Sequence, residues 1–230
     1  MTDFSNIHSL DELFSEWKKA HQNEPDETYN SYRNTDLPIN KDIKNMFFPD
    51  GILCEENFFE LQKQRKSILF VGKEANEYAK DRMPDFNPDF WLKQVAFGKE
   101  KAAPLSRGIS MLANAYYNNN YTVPNKNHDI LQSIAFINLN KRGGSADCNE
   151  NTLEGYVKEY SDFLYKEIEL IHPDIIICCG KNLRNLVVRY LPFQNTDTIF
   201  SVYHPSYRIS DLKKLQQLER CIKTMSSTHR

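Results

Sequence analysis

Four short runs of mostly β-branched and aromatic residues constrain the fold of this chain more than any other feature. The runs are SILFVG (67–72), SIAFIN (133–138), PDIIICCG (173–180) and TIFSVYH (198–204). Each run is bounded by turn-forming or polar residues, and none alternates polar with apolar positions. Continuous apolar runs of this kind are typical of strands that are buried on both faces of a parallel sheet.

Amphipathic helices are predicted between these runs. In the segment 106–117, Ile109, Leu112 and Tyr116 share one face at helical spacing. The same periodicity predicts helices over 152–171, 181–191 and 211–225. Alternating strands and helices indicate an α/β fold with three layers, α/β/α, around a four-stranded parallel sheet whose crossovers are right-handed.

The chain length of 230 residues favours one core with a decorated periphery. The segment SLDELFSEWKKA (9–20) opens with a Ser-x-x-Glu capping box and predicts an N-terminal helix that packs on this core. Prolines interrupt the segment 21–60, which we interpret as loops and short helices. The expected organisation is an N-terminal helical extension over residues 1–60 and an α/β domain over residues 61–230.

Composition narrows the function classes. A net charge of −2 argues against a protein held to nucleic acid or membrane by a global positive field, so nucleic-acid binding would need a local basic patch. The five cysteines contain no C-x-x-C pair, and neither a zinc site nor a disulfide framework is indicated. The N-terminal segment lacks the pattern of a signal peptide, and no apolar run approaches the ~20 residues that cross a bilayer. We therefore expect a cytoplasmic protein that does not associate with a membrane.

Polar residues follow all four runs, at the strand ends where open parallel sheets bind their ligands. These segments are Gly72-Lys73-Glu74-Ala75-Asn76, the residues 138–144, Gly180-Lys181-Asn182 and His204-Pro205-Ser206-Tyr207-Arg208. They supply a carboxylate, an amide and an imidazole, which are groups able to move protons and bind a substrate. GKEANE does not match a dinucleotide fingerprint or a phosphate-binding loop, and no G-x-S-x-G elbow is present.

Taken together, these segments resemble the uracil-DNA glycosylase superfamily over roughly residues 65–225. VGKEAN is similar to the first family motif, a strand followed by Gly-x-(Asp, Asn or Ala)-Pro, and YHPSYR contains the last, His-Pro-Ser. AFINLNKRGG, HPDIIICCGKNLRNLV and APLSRGISMLANAYY resemble intermediate family segments in the expected order. The resemblance implies a monofunctional DNA glycosylase that hydrolyses the N-glycosidic bond of a flipped uracil or another damaged or modified base.

The resemblance also implies roles for individual residues. Glu74 would orient or activate water and stabilise the oxocarbenium ion, and His204 would donate a hydrogen bond to the carbonyl oxygen of the leaving base. Asn138 would read the base edge through its amide. The base-binding residues implied are Gly72, Ala75, Leu105 and Asn138.

DNA is the implied partner, bound by a monomer without a cofactor. Ser206 would hold a phosphate, while Tyr207 and Arg208 would enter the duplex or contact its backbone. Lys73, Lys141 and Arg142 would join them in a local basic patch. Cys54 and Cys148 lack partners at the spacing that holds an iron–sulfur cluster in one branch of the family.

Three departures from the family pattern leave a second interpretation open. Glu74 stands where most active members have Asp, Asn or Ala, Ala75 replaces a proline, and Leu105 replaces the Phe that stacks on the flipped base. Phe86, Phe90 or Trp91 would be other sources of an aromatic ring. The alternative is a protein with the glycosylase fold that binds nucleic acid or a nucleotide without turnover. A small-molecule hydrolase on the same scaffold is a third interpretation, which no motif supports.

Overall fold

The computed structural model describes residues 3–33, 44–76, 91–144 and 148–228. The helices in these ranges are α1 (Leu10–Asn23), α2 (Asp26–Tyr32), α3 (Glu55–Lys63), α4 (Trp91–Ala96), α5 (Pro104–Tyr117), α6 (Glu150–Glu159), α7 (Ser161–Ile171), α8 (Leu183–Tyr190) and α9 (Asp211–Thr228), with a 3₁₀ helix at His128–Ser133. The strands are β1 (Gly51–Ile52), β2 (Ile68–Asn76), β3 (Ala135–Gly144), β4 (Ile175–Cys179) and β5 (Ile199–Val202). None of the described helices combines the length and the hydropathy of a membrane span.

The five strands form one sheet in the order β1-β3-β2-β4-β5. Strands β2 to β5 are parallel and coincide with the four predicted runs, which confirms the predicted parallel α/β sheet. The predicted count of four strands is wrong by one, because β1 pairs antiparallel with β3 at the sheet edge. A strand of two residues is too short to leave a periodic pattern in the sequence.

Strands β2 and β3 both run past the apolar segments that predict them. They stay paired from Gly72 opposite Asn138 to Glu74 opposite Asn140 and beyond. Polar side chains end the apolar signal in the sequence, but each backbone N–H and C=O still needs a partner and finds it in the neighbouring strand. Lys73 and Glu74, expected in a loop, therefore lie on a strand.

Helices cover both faces of the sheet, since successive side chains of a strand point to opposite sides. Leu69 and Val71 of β2 belong to an apolar cluster that includes side chains of α1, α6, α7 and α8. Ile68 and Phe70 belong to a second cluster, which includes side chains of α4, α5 and α9. The arrangement is the three-layer α/β/α architecture that the alternation of strands and helices predicts.

Helix α1 is capped as its sequence indicates. The Glu12 N–H donates to Ser9 Oγ at 3.3 Å, and the Ser9 N–H donates to the Glu12 carboxylate at 3.1 Å. A cap of this kind stabilises a helix by about 0.5–2 kcal/mol. Leu13 and Trp17 are fully buried in the first apolar cluster, so α1 packs on the same core as the sheet.

The segment 152–171, predicted as one helix, forms two helices that break at Tyr160. The backbone of Tyr160 has φ −106° and ψ 23°, which ends α6 before α7 begins. Its hydroxyl donates to Glu24 at 3.0 Å, and its ring centroid lies 4.7 Å from that of Tyr156. The apolar spacing continues through the break because both helices bury the same face. Spacing alone therefore does not predict that the helix is interrupted at Tyr160.

Candidate active site

Glu74 lies on β2 beside Asn140 of β3. The Asn140 Nδ2 donates to the Glu74 carboxylate at 3.1 Å, and the Asn140 Oδ1 accepts the backbone N–H of Arg142 at 2.9 Å. The second bond fixes the orientation of the amide, so its NH₂ group faces Glu74. Sequence reasoning missed Asn140, although residues 138 and 140 of one strand share a face and Asn138 was already a candidate.

The carboxyl group of Glu74 occupies space that only a glycine at position 144 leaves open. A Cβ atom on Gly144 would overlap the carboxyl group. A small cavity of about 20 Å³ borders Glu74, Asn140 and Gly144. This volume is close to the space of one water molecule, and the cavity wall is polar at Glu74 and Asn140.

Burial raises the pKa of Glu74 to about 7, against the opposing effects of the Asn140 amide, the Cys148 thiol and the Lys73 ammonium group. The carboxyl group is therefore close to half ionised at neutral pH and can accept or donate a proton there. Burial and the neighbouring Glu74 also raise the pKa of Cys148 to about 12. Because the thiol stays protonated at neutral pH, Cys148 is a neighbour of Glu74 and not a nucleophile.

His204 follows β5 at the start of a tight turn, which the Tyr207 N–H closes by donating to the His204 carbonyl at 2.8 Å. The imidazole Nδ1 accepts the Ser206 N–H at 3.4 Å and lies 2.8 Å from Ser206 Oγ. Burial, with Lys73 and Lys214, lowers the pKa of His204, so the ring is neutral at neutral pH. With Nδ1 accepting, the single ring proton resides on Nε2, which makes Nε2–H a hydrogen-bond donor.

Three side chains or backbone positions outside the predicted site hold the His204 turn. Lys214 of α9 is buried and donates to the Pro205 carbonyl at 2.7 Å. Gln217 of α9 accepts the Tyr203 N–H at 2.6 Å. Gly108 of α5 packs against Pro205 so closely that a Cβ atom would lie 2.5 Å from the Pro205 carbonyl oxygen. The turn is thereby clamped between α9, which follows it directly in the chain, and α5, which is remote from it in sequence.

Replacing Gly108 by alanine is expected to destabilise the protein by about 1–3 kcal/mol, because the new methyl group overlaps Pro205. The direction of the change in stability is informative, since alanine in a helix is otherwise favoured over glycine by about 1 kcal/mol. Urea unfolding measures the change, and Arg107→Ala on the exposed side of α5 is the control. A Gly108→Ala protein more stable than the unmodified one would contradict the tight contact.

Three strand ends meet at Gly180, which follows β4. A Cβ atom on Gly180 would lie 3.9 Å from the His204 Cβ and 4.0 Å from the Lys73 Cε. The positive charge of Lys73 favours the ionised form of Glu74 and the neutral form of His204. Lys73 thus links the carboxyl group of β2 with the imidazole after β5, as expected for the carboxyl edge of a parallel sheet.

Gly72 and Asn138 lie opposite each other in the β2–β3 pair. A Cβ atom on Gly72 would approach the Asn138 Oδ1 to 2.7 Å, so glycine is what allows the amide to lie there. The Asn138 side chain is largely buried, and its backbone N–H donates to the Asp50 carboxylate at 2.6 Å. Sequence reasoning missed Asp50, which lies just before β1 in a segment interpreted as loop.

A family model described as the uracil DNA glycosylase superfamily matches residues 89–225, which is more than half of the chain. The chain belongs to the uracil DNA glycosylase superfamily. The matched range contains Leu105, Asn138 and His204, whereas Glu74 precedes it. Neither the curated proteins nor the solved structures compared with the chain gave a match.

The prediction that Lys141 and Arg142 face DNA is wrong for this member of the superfamily. Lys141 is fully buried, pairing with Glu167 at 2.9 Å and with Asp50. Arg142 is 2% exposed and pairs with Glu24 at 2.8 Å. The two residues were expected in an open loop, but β3 continues through them beneath the N-terminal helices, where acidic partners neutralise them.

The remaining predicted DNA contacts lie at or near the surface of the protein. Tyr207 and Arg208 are exposed, and Ser206 is partly exposed. Lys73 borders a surface cavity of about 210 Å³, whose rim also carries Lys181. The basic surface near the His204 turn is therefore smaller than the sequence indicated, with Lys73 and Arg208 as its predicted members.

The predicted base-binding residues Ala75 and Leu105 are both partly exposed. Ala75 continues β2 after Glu74, and Leu105 lies in the first turn of α5, packed against the second apolar cluster. Phe86 and Phe90, suggested as sources of a stacking ring, lie outside the described residues, and Trp91 is the partly exposed first residue of α4. Among the described side chains, no group of three or more His, Cys, Asp or Glu is placed to hold a metal ion.

Proposed function

We propose that this member of the superfamily is a monofunctional DNA glycosylase, which hydrolyses the bond between deoxyribose and a flipped uracil or another damaged or modified base. The observation that carries the proposal is the His204 turn. Its neutral imidazole has Nδ1 occupied by Ser206 and keeps Nε2–H as a donor. Membership of the superfamily supports DNA as the macromolecule on which the donor acts.

His204 acts on the leaving base. When the bond between C1′ and the base nitrogen breaks, the base takes the bonding electron pair and its carbonyl oxygen becomes negative. The Nε2–H of His204 donates a hydrogen bond to that oxygen as the charge develops. A preorganised donor of this kind contributes roughly 3–4 kcal/mol of transition-state stabilisation. Lys214 and Gly108 preorganise it by holding the turn.

Glu74 acts on the sugar side. Its ionised carboxylate accepts a proton from water as the water oxygen bonds to C1′, and its negative charge offsets the positive charge of the oxocarbenium ion. A pKa near 7 suits a general base, because about half of the group is ionised at neutral pH and the ionised form is a good proton acceptor. The longer side chain of glutamate relative to aspartate is accommodated by Gly144, and Asn140 holds its carboxylate.

The flipped base must leave the DNA stack and enter a pocket, at a cost of a few kcal/mol. We assign the Asn138 amide, next to the bare backbone of Gly72, to the edge of that base. Ala75 and Leu105 contribute to the pocket wall. Lys73, Ser206 and Arg208 contact the DNA backbone, and the protein acts as a cytoplasmic monomer without a cofactor.

A second function, binding without turnover, is favoured by one observation. The Glu74 carboxylate already accepts from Asn140, and burial keeps part of it protonated at neutral pH. A carboxyl group in this state can hold β2 against β3 without taking part in a reaction. The protein would then recognise a nucleotide with the same pocket and release it unchanged.

Excision assays separate the two functions. Labelled oligonucleotides carrying uracil, hypoxanthine, xanthine or hydroxymethylated and glucosylated bases are incubated with the protein, and abasic sites are then cleaved with alkali. We expect strand breaks on at least one substrate, and His204→Ala should lower the single-turnover rate by about 10²–10³-fold because the oxyanion loses its donor. His8→Ala, which changes an exposed histidine near the N-terminus, is the matched control. Binding without breaks on every substrate would establish the second function.

A further inference from the structure

Two tyrosines adjacent to the His204 turn form a stacked pair at the surface. Tyr203 and Tyr207 are 42% and 60% exposed, whereas large aromatic side chains are usually covered. Their ring centroids lie 6.3 Å apart, and the ring planes differ by 20°. The two rings are nearly parallel, and much of the surface of each is open to solvent.

The backbone on both sides of the pair is held in place. Gln217 accepts the Tyr203 N–H, and the Tyr207 N–H closes the turn at the His204 carbonyl. The two rings therefore present aromatic surface from a preorganised backbone, which reduces the entropy that a ligand must overcome on binding.

Two exposed positive side chains lie close to the aromatic pair in the sequence. Arg208 follows Tyr207 directly and is exposed, and Lys213 is exposed on the first turn of α9. Aromatic rings that stack on bases beside cations that follow the phosphate backbone are the combination found in proteins that bind single-stranded nucleic acid.

We propose that Tyr203 and Tyr207 form a stacking platform for an unpaired base next to the excised nucleotide, so that the substrate is single-stranded or locally unpaired DNA. The proposal rests on the proposed function for the identity of the excised nucleotide, but the platform itself binds any base. A wedge into a duplex requires the Tyr207 ring to stand free between base pairs. Here the Tyr207 ring is one of a nearly parallel pair with Tyr203, and a base that is already unpaired reaches the exposed ring surface without the cost of unstacking.

A binding experiment tests the platform without turnover. Two labelled single strands of about 15 nucleotides are compared at one salt concentration, a thymidine oligomer and an oligomer of abasic tetrahydrofuran nucleotides with the same phosphates. Since stacking on the rings adds affinity that abasic nucleotides lack, the protein should bind the thymidine strand roughly tenfold more tightly. Tyr203→Leu and Tyr207→Leu should bring this ratio close to one, and Tyr207→Phe should keep it.

Two controls separate stacking from charge and from general surface loss. Arg208→Ala should lower the affinity for both strands by the same factor. Phe59→Leu changes an exposed ring on α3. This helix lies at the opposite end of the strands from the His204 turn, because its Gln62 donates to the Ile171 and His172 carbonyls just before β4 begins. This variant should leave the ratio unchanged.

Equal affinity of the unmodified protein for the two strands would overturn the platform. An equal loss of affinity for duplex and single-stranded DNA in Tyr207→Leu would also overturn it, because that result would indicate a ring that inserts between base pairs. Failure of the proposed glycosylase function gives a different result, because strand breaks would be absent while the preference for the thymidine strand remained.

Discussion

Replacing Glu74 by glutamine should lower the rate of base excision by about 10²–10⁴-fold, because the isosteric amide cannot accept a proton from water or offset the charge on the sugar. Single-turnover assays on the preferred substrate measure the loss. Asn140→Ala should give a smaller decrease, since the carboxylate remains but loses its orienting donor. An unchanged rate in Glu74→Gln would rule out Glu74 as the base.

The pH dependence of the rate gives an independent check on Glu74. With its pKa raised to about 7, the ionised form is lost as the pH falls through 7, and the excision rate should fall with it. The pKa of His204 is lowered below its usual value by burial, so the imidazole gains a proton only at a lower pH than Glu74 does. In Glu74→Gln the decrease centred near pH 7 should be absent from the residual rate.

Urea unfolding shows whether Glu74→Gln is folded, and the same pKa predicts the direction in which the substitution changes the free energy of unfolding. The native carboxyl group has a pKa of about 7 against 4.5 for an unperturbed glutamate, so the folded state binds the proton more tightly. The carboxyl group's contribution to stability is therefore lost as the pH rises from about 4.5 through 7. Above pH 7 the glutamine variant should be more stable to urea than the unmodified protein.

Replacing Lys141 by methionine should destabilise the protein by about 3–5 kcal/mol, since it leaves Asp50 and Glu167 buried without their cation. Both carboxyl groups are almost fully buried, as is the ammonium group that joins them. Burial raises the pKa of Glu167 well above its usual range, an effect that Lys141 opposes. Urea unfolding at pH 7 measures the change in the free energy of unfolding.

A combined variant distinguishes loss of charge pairing from loss of packing. Lys141→Met together with Asp50→Asn and Glu167→Gln removes the unpaired charges and should recover a substantial part of the stability. The exposed Lys181→Met is the matched control and should change stability by less than about 0.5 kcal/mol. A Lys141→Met protein as stable as this control would show that the buried pairs contribute nothing.

The sheet and most helices could be predicted from the sequence because they depend on local patterns. Continuous apolar runs locate strands that are covered on both faces, and the Ser9–Glu12 spacing locates the start of α1. The β1 strand and the break at Tyr160 left no such pattern. In both cases the local backbone depends on partners from distant segments, β3 for β1 and Glu24 for the Tyr160 hydroxyl.

The candidate site was likewise predictable only where it depends on local patterns. The sequence by itself determined which strand ends carry chemistry, since Glu74, Asn138 and His204 follow apolar runs whose direction places them at one edge of the sheet. Only the tertiary structure decided what surrounds each group. Position in a strand predicts which edge a side chain reaches, whereas its burial, its pKa and its partners depend on segments that fold against it from elsewhere in the chain. Asn140 beside Glu74 and the acidic partners that bury Lys141 are therefore visible only once the strands and the N-terminal helices are assembled.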